Sequence, residues 1–180
     1  MSYLPWRRVG SWHCLACGEC CRKFTVILTT YEYALLTNLF GQRVVELNSR
    51  GDPCLRRVQG VCVFQSSEGL CRLQPLGLKP LACKVWPFKV VEVKNIGEAG
   101  EADLFIHGGR AYRVYVHSSC NGIGHGSREE LVEAIKEVIE IKRNPHRPQL
   151  YSTARVKERG LSLRGLTSTM AYALSARLVA

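Results

Sequence analysis

The chain has 180 residues, of which 46% are hydrophobic, so it can form a conventional core around one domain. Its nine cysteines are an odd number, whereas a small secreted domain stapled by disulfides normally has an even number. The first residues lack the apolar stretch of a secretory signal, and no uncharged apolar run approaches the roughly 20 residues of a bilayer-spanning helix. These features argue against a disulfide-stapled toxin and a membrane protein. They predict a cytoplasmic protein with reduced or metal-bound thiols.

The formal net charge of +10 is concentrated at the C-terminal end. Residues 141–180 hold eight Lys or Arg and one acidic residue, whereas residues 101–140 hold four Lys or Arg and seven acidic residues. Such a basic segment is either a solvated face or a contact surface for an anionic partner such as RNA. The sequence leaves both interpretations open.

The N-terminal half predicts few regular elements. The β-branched run 24–29 predicts a strand, and the capping box that starts at Thr29 predicts a helix over about residues 30–40. Residues 43–47 predict a short strand. Residues 49–85 are rich in turn residues and hold four cysteines, a pattern expected where metal ligation replaces regular secondary structure.

The second half predicts a small sheet followed by a helix. Three predicted strands over residues 88–94, 103–107 and 111–117 resemble a β-meander, and a pair of glycines between the last two is a hairpin signal. A second capping box at Ser127 begins a predicted helix that runs to about Arg143, with apolar residues at helical spacing.

The composition changes beyond this helix. Residues 149–165 are basic with Gly and Ser, which is typical of a loop or extended arm, and residues 166–179 are compatible with a terminal helix. We therefore expect an α+β fold. Residues 1–143 are predicted to form a small metal-stapled cysteine-cluster domain with an antiparallel β-meander and flanking helices. Residues 144–180 are predicted to form a basic C-terminal extension.

The cysteine run near the N-terminus carries the strongest chemical signal. Cys14, Cys17 and Cys20 can supply three ligands from one loop, like the CxxCxxC run of cluster-binding ferredoxins. Cys20 and Cys21 are neighbours whose side chains tend to diverge, so they indicate either two metal centres or one ligand beside a non-ligating thiol. Soft thiolates suit zinc and iron–sulfur clusters almost equally. The cofactor is therefore zinc, as one or two ions, or alternatively a [4Fe–4S] cluster.

The downstream cysteines complete a recognisable pattern. Cys62 and Cys71 form a pair, and Cys83 lies in the segment KPLACKVWPF. With the N-terminal CxxCxxCC run and the segment CNGIGHG at residues 120–126, this ordered set resembles the YkgJ-type, or CxxCxxCC, cysteine-cluster family. The resemblance spans about residues 12–126. Members of that family are described as zinc- or iron-chelating proteins, and a relative of the module occurs in the lysine N-methylases that modify flagellin.

The resemblance implies eight metal-ligating cysteines, namely Cys14, Cys17, Cys20, Cys21, Cys62, Cys71, Cys83 and Cys120. Lys79 stands where the family usually has Arg, so a bidentate contact of that Arg is lost here. Whether Cys54, His13 or His125 also ligates stays open. A lone cysteine is more often a buried small hydrophobe, and a histidine beside a cysteine loop is more often exposed or bonded to another ligand.

Three functions are compatible with the sequence. The first is a metal-binding cysteine-cluster protein whose centre has a redox or substrate-binding role. The second is an RNA- or ribosome-associated protein with structural zinc, whose basic arm contacts rRNA through Arg143, Arg147, Arg155, Lys157, Arg159 and Arg164. The third is a methyltransferase-like enzyme, although no catalytic or cofactor-binding motif is visible outside the cysteine module.

Overall fold

The computed structural model of this chain describes residues 2–94, 97 and 100–151. The α-helices in this part are α1 (Glu19–Lys23), α2 (Thr30–Phe40), α3 (Leu81–Val85) and α4 (Arg128–Arg143). The strands are β1 (Tyr3–Pro5), β2 (Val45–Leu47), β3 (Pro53–Leu55), β4 (Arg57–Val58), β5 (Val61–Cys62), β6 (Phe88–Val93), β7 (Leu104–His107) and β8 (Arg110–His117). This mixture of helices and antiparallel strands is an α+β fold. Within the described residues, no helix has the length and apolar character needed to cross a bilayer.

The main sheet is organised around its longest strand, β8. Strand β6 pairs antiparallel along one side of β8, from Phe88 opposite Val116 to Val93 opposite Ala111. On the other side, β7 pairs with the first half of β8 and β1 pairs with the second half. The predicted β-meander is therefore wrong in its strand order, because a meander would place β7 between β6 and β8.

The hairpin between β7 and β8 is confirmed. Its two turn residues, Gly108 and Gly109, have φ values of 56° and 71°. A two-residue turn with both residues in the left-handed region matches the twist of the paired strands, and glycine adopts that region without steric cost. The sequence does not predict strand β1, because its three residues, which end in Pro5, are too few to show the alternating pattern of a strand.

Helix α4 covers the inner face of the main sheet. Its capping box forms as predicted: the Ser127 hydroxyl accepts from the Glu130 N–H (3.2 Å), and the Glu130 carboxylate accepts from the Ser127 N–H (3.0 Å). The apolar side chains of the helix and of β8 are buried together in the larger core, which includes Leu131, Ile135, Val138, Ile139, Val114 and Val116. Helix α4 therefore anchors the sheet that carries the C-terminal side of the site.

A smaller core lies between α2 and the short hairpins β2–β3 and β4–β5. Helix α2 begins at its predicted capping box, and its one fully buried residue, Leu36, packs in this core with Leu28, Leu55 and Phe64. The strand predicted at 24–29 is wrong as a regular strand. It is reduced to one bridge between Ile27 and Cys54, because its partner strand β3 is only three residues long and begins at Pro53, which has no N–H to donate.

The described chain continues past α4 and runs back over α3. Residues 144–151, here named the C-terminal segment, supply backbone acceptors to a buried lysine. Lys84 Nζ donates to the carbonyls of Pro145 (2.7 Å) and Arg147 (3.2 Å). Gln149 Nε2 donates in return to the Lys84 carbonyl (2.8 Å). The predicted arm beyond residue 151 and the predicted terminal helix lie outside the described residues.

Candidate metal site

One cavity of about 370 Å³ is bordered by α1, α3, β1 and β8. Eight cysteines line it: Cys14, Cys17, Cys20, Cys21, Cys62, Cys71, Cys83 and Cys120. All nine cysteines lie in the described part of the chain, and none is disulfide-bonded. The ninth, Cys54, lies outside the cavity, is 1% exposed, and donates its S–H to the Glu46 carbonyl (3.3 Å). Cys54 is thus a buried small residue of strand β3.

Three of these cysteines, Cys14, Cys17 and Cys120, form the three-cysteine group. Burial raises the pKa of the Cys120 thiol, and the neighbouring sulfurs of Cys14 and Cys17 raise it further. Trp12 acts in the opposite direction, because its indole Nε1–H donates to Cys120 Sγ at 3.3 Å. This indole is a donor to sulfur that the cysteine spacing does not reveal.

A backbone bridge brings this group together. Trp12 pairs with Ile123, and the His13 N–H donates to the Gly122 carbonyl (3.1 Å). A Cβ on Gly122 would lie 2.3 Å from the His13 carbonyl oxygen, so only glycine permits this approach. The His13 imidazole does not line the cavity, and its Nδ1 lies 3.0 Å from the Glu130 carboxylate.

The other five cysteines form the five-cysteine group, namely Cys20, Cys21, Cys62, Cys71 and Cys83. Burial raises the pKa of Cys83 well above its ordinary value, and the sulfurs of Cys71, Cys62 and Cys20 add to the effect while Lys79 opposes it. Burial likewise raises the pKa of Cys62, which also interacts with Cys71 and Cys20. Five thiols thus interact electrostatically in one region of the cavity.

Cys20 and Cys21 differ because the Cys21 thiol donates a hydrogen bond to the Cys20 sulfur. That bond lowers the pKa of Cys20 to about 6, against the effect of burial and with help from the positive charge of Lys79. The same bond, together with burial, raises the pKa of Cys21. The hydrogen bond therefore favours the thiolate form of Cys20, and the thiolate is the form of cysteine that ligates metal.

Lys79 is positioned by the C-terminal segment. Its Nζ donates to Gln149 Oε1 at 2.7 Å, and Gln149 is 2% exposed. Lysine at this position provides a point charge beside the five-cysteine group rather than the flat fork of an arginine. Gln149 is 70 residues away in sequence, so no local pattern could have indicated this contact.

Gln65 fixes the CxxCxxCC loop against the rest of the site. It is 9% exposed, and its Nε2 donates to the carbonyls of Gly18 (2.9 Å) and Gly69 (3.2 Å). Gly18, between Cys17 and Cys20, has a φ of 72°. The sequence gives no sign that Gln65 has this role, because glutamine lacks the chemistry by which a metal ligand is recognised.

An aromatic wall borders the cysteines on the side of the main sheet. The ring centroids of Phe24 and Trp86 lie 3.8 Å apart, those of Trp86 and His117 4.6 Å, and those of His117 and Tyr3 5.0 Å. His117 is 2% exposed, and burial lowers its pKa. Its Nδ1 accepts from the Ser119 N–H (3.2 Å), so the imidazole is neutral and part of this wall.

The predicted nucleic-acid-binding residues are only partly described. Arg143 and Arg147 are about half exposed, and both lie near the carboxylate of Glu140, at 3.6 Å and 3.9 Å. Neither lines the cysteine cavity. The remaining four lie outside the described residues, namely Arg155, Lys157, Arg159 and Arg164.

The cavity gathers soft donors within mainly apolar walls. Among residues 2–94, 97 and 100–151, no three Cys, His, Asp or Glu side chains converge on one point that could hold a metal ion. The donor set is nevertheless composed of sulfur, which is the ligand type of zinc and of iron–sulfur clusters. The residues of the site thus fit thiolate metal chemistry by their type.

Residues 13–104 match the model of a protein family described as "CxxCxxCC: putative zinc- or iron-chelating domain". The match covers just over half of the chain, and the protein belongs to this family, which confirms the resemblance seen in the sequence. The matched range contains seven of the eight cysteines that line the cavity. It ends before Cys120, which the fold brings to the same cavity. A search of curated proteins and a search of solved structures each found no match.

Proposed function

We propose that the protein binds metal at two thiolate centres, one in each cysteine group. The observation that carries the proposal is that eight of the nine cysteines line one cavity while none is disulfide-bonded. The five-cysteine group has enough sulfurs for a closed site of four thiolates, which is typical of structural zinc. The three-cysteine group leaves one position to another ligand, which is typical of a site that binds a substrate.

Zinc is the metal we assign to these centres, with a [4Fe–4S] cluster as the alternative. Four thiolates around a divalent ion concentrate negative charge, and the ammonium of Lys79 beside Cys20 and Cys83 partly compensates it. Burial in a cavity with apolar walls strengthens that compensation. A zinc ion at the three-cysteine group would supply Lewis acidity, whereas an iron–sulfur cluster would supply electron transfer.

Elemental analysis of anaerobically purified full-length protein tests this proposal. We expect about two equivalents of zinc and a colourless solution. Brown protein with absorption near roughly 400 nm, together with iron and sulfide, would assign the cluster alternative. Protein that retains less than about half an equivalent of either metal, after purification without chelators, would refute metal binding altogether.

We further propose, as a second function, that the basic end of the chain contacts RNA. Residues 152–180 hold five Lys or Arg and one Glu, and the residues that the structure describes end at the buried Tyr151. No feature of the described residues favours the methyltransferase-like alternative. Cutting after Tyr151 therefore separates the basic end from the cavity without removing Gln149 or Tyr151.

The truncated protein, residues 1–151, is expected to lose RNA binding and to keep its metal. Phosphate contacts dominate nucleic-acid affinity, so binding by the full chain should also fall steeply as salt is raised. Gel-shift titration with a structured RNA at low and moderate salt measures the first effect, and elemental analysis measures the second. Equal RNA affinity of both proteins would show that the basic end is only a solvated segment.

A further inference from the structure

The outer face of the main sheet carries a second, shallow cavity of about 190 Å³. It is lined by Tyr3 of β1, Lys89 and Val91 of β6, and Arg113 and Tyr115 of β8. The strand register places Lys89 opposite Tyr115 and Val91 opposite Arg113, so these side chains share one face of the sheet. Helix α4 covers the opposite face. We call this feature the outer-face cavity.

A buried carboxylate holds one cation of this cavity in place. Arg113 Nε donates to Asp103 Oδ2 (2.9 Å), and the Tyr115 hydroxyl donates to the same oxygen. Asp103 is 5% exposed. Burial opposes its ionisation, but the bonds from Tyr115 and Arg113 prevail and lower its pKa. The guanidinium is therefore fixed through Nε, which bonds to Asp103, and through Nη2, which donates to the Tyr115 hydroxyl, while the Arg113 side chain stays 43% exposed at the cavity.

The second cation of the outer-face cavity is Lys89. It is exposed, and its Nζ lies 5.6 Å from the ring centroid of Tyr3. In the part of the chain that the structure describes, Lys89 forms no ion pair, whereas the exposed Arg110 pairs with Glu92 at 2.7 Å. Because Asp103 neutralises only Arg113, the lining of the outer-face cavity keeps a net positive charge. A guanidinium held by a carboxylate and an exposed ammonium that lines the same cavity are suited to an oxyanion.

The outer-face cavity adjoins the cysteine cavity. Tyr3 lines both of them, and it pairs across the strands with His117, which lines the cysteine cavity. The aromatic wall then continues from His117 to Trp86 beside the cysteines. The side chains of Tyr3, His117 and Trp86 thus form an apolar surface of the protein that runs from the outer-face cavity toward the thiols. A small molecule whose anionic end is bound at Arg113 and Lys89 can lie along it.

We propose that the outer-face cavity binds the oxyanion group, a carboxylate or a phosphate, of a small molecule whose remainder extends past Tyr3 to the cysteine cavity. Arg113 contributes a positioned N–H edge, and Lys89 contributes a point charge that adjusts to the bound group. The role of this ligand at the cysteines rests on the proposed metal-binding function. Binding of the oxyanion itself does not depend on it.

Titration of the full-length protein with inorganic phosphate, and separately with acetate, tests the site. Tyrosine ring resonances followed by NMR report binding, and sodium chloride at equal ionic strength is the reference. Lys89→Met should weaken binding about tenfold, the effect of losing one charge-assisted hydrogen bond. Arg110→Met is the matched control, because Arg110 is an exposed cation of the same sheet outside the outer-face cavity. The phosphate affinity of this variant should stay within about twofold of wild type.

Arg113→Met should weaken phosphate binding at least as much, but it leaves the buried Asp103 without its cationic partner and can destabilise the fold. Lys89→Met has no such effect, so it decides the test.

Wild-type affinity in Lys89→Met, or an equal loss in Arg110→Met, would overturn the proposal, as would a response no larger than that to chloride. Tighter binding of phosphate than of acetate assigns the group as phosphate, and the reverse assigns a carboxylate. If the purified protein contains no metal but still binds phosphate saturably, the metal-binding proposal is rejected and the oxyanion proposal stands.

Discussion

Changing Cys83 to serine is expected to release about one equivalent of metal and to lower the free energy of unfolding by several kcal/mol. Cys83 belongs to the five-cysteine group, where burial and three neighbouring sulfurs make its thiol costly to ionise without a cation. Structural zinc contributes on the order of 10 kcal/mol to small fingers. The loss here should be smaller, because two hydrophobic cores remain. Elemental analysis and urea denaturation measure the two effects.

Cys17→Ser provides the complementary measurement for the three-cysteine group. It should release the other equivalent of metal and leave the one bound near Cys83. Cys54→Ala is the control, because Cys54 is buried outside the cavity and should keep the full metal content. Full metal content in both Cys83→Ser and Cys17→Ser would contradict the two-centre proposal. Simultaneous loss of all metal in either variant would instead indicate one shared centre.

Gly18→Ala is expected to disorganise the CxxCxxCC loop and to cost about 3 kcal/mol or more of stability. A Cβ at this position would lie 2.1 Å from Gln65 Nε2 and 2.7 Å from the Gly69 carbonyl oxygen. The second contact is to backbone, which cannot rotate away. The loop would therefore move off its anchor, and metal content should fall along with the midpoint of thermal unfolding.

Gly77→Ala separates this steric effect from backbone strain. Gly77 has a φ of 70°, close to the 72° of Gly18, but a Cβ there would meet nothing within 4 Å. Its alanine variant should lose only the roughly 1 kcal/mol of a strained left-handed residue and keep its metal. If the two alanine variants are equally stable and equally metal-loaded, the contact between Gly18 and Gln65 does not organise the site.

The elements that sequence analysis predicted well are those with local signals. Both long helices begin at capping boxes, and the β7–β8 hairpin turns at two glycines, so each is defined by a few consecutive residues. The order of the main sheet has no such signal. The three-residue β1 comes from the opposite end of the chain and pairs with β8, a contact that only the folded core determines.

The cysteines of the cavity carry a sequence signal, whereas the side chains that hold them in place do not, and metal ligation by these cysteines stays a prediction. Spacing and family resemblance identify eight cysteines, and the same eight line the cavity. Two contacts that position these cysteines join Trp12 to Cys120, across 108 residues, and Gln65 to the Gly18 carbonyl. Neither residue type is characteristic of a metal site, so sequence reasoning had no basis for selecting them.

The bonds from Lys84 to the C-terminal segment couple two parts of the protein thermodynamically. Lys84 directly follows Cys83, and displacing Pro145 and Arg147 would leave a buried ammonium without its carbonyl acceptors. Any partner that binds the C-terminal end and displaces the C-terminal segment therefore disturbs helix α3, which carries Cys83. By reciprocity, the factor by which such a partner weakens metal affinity equals the factor by which metal weakens the partner.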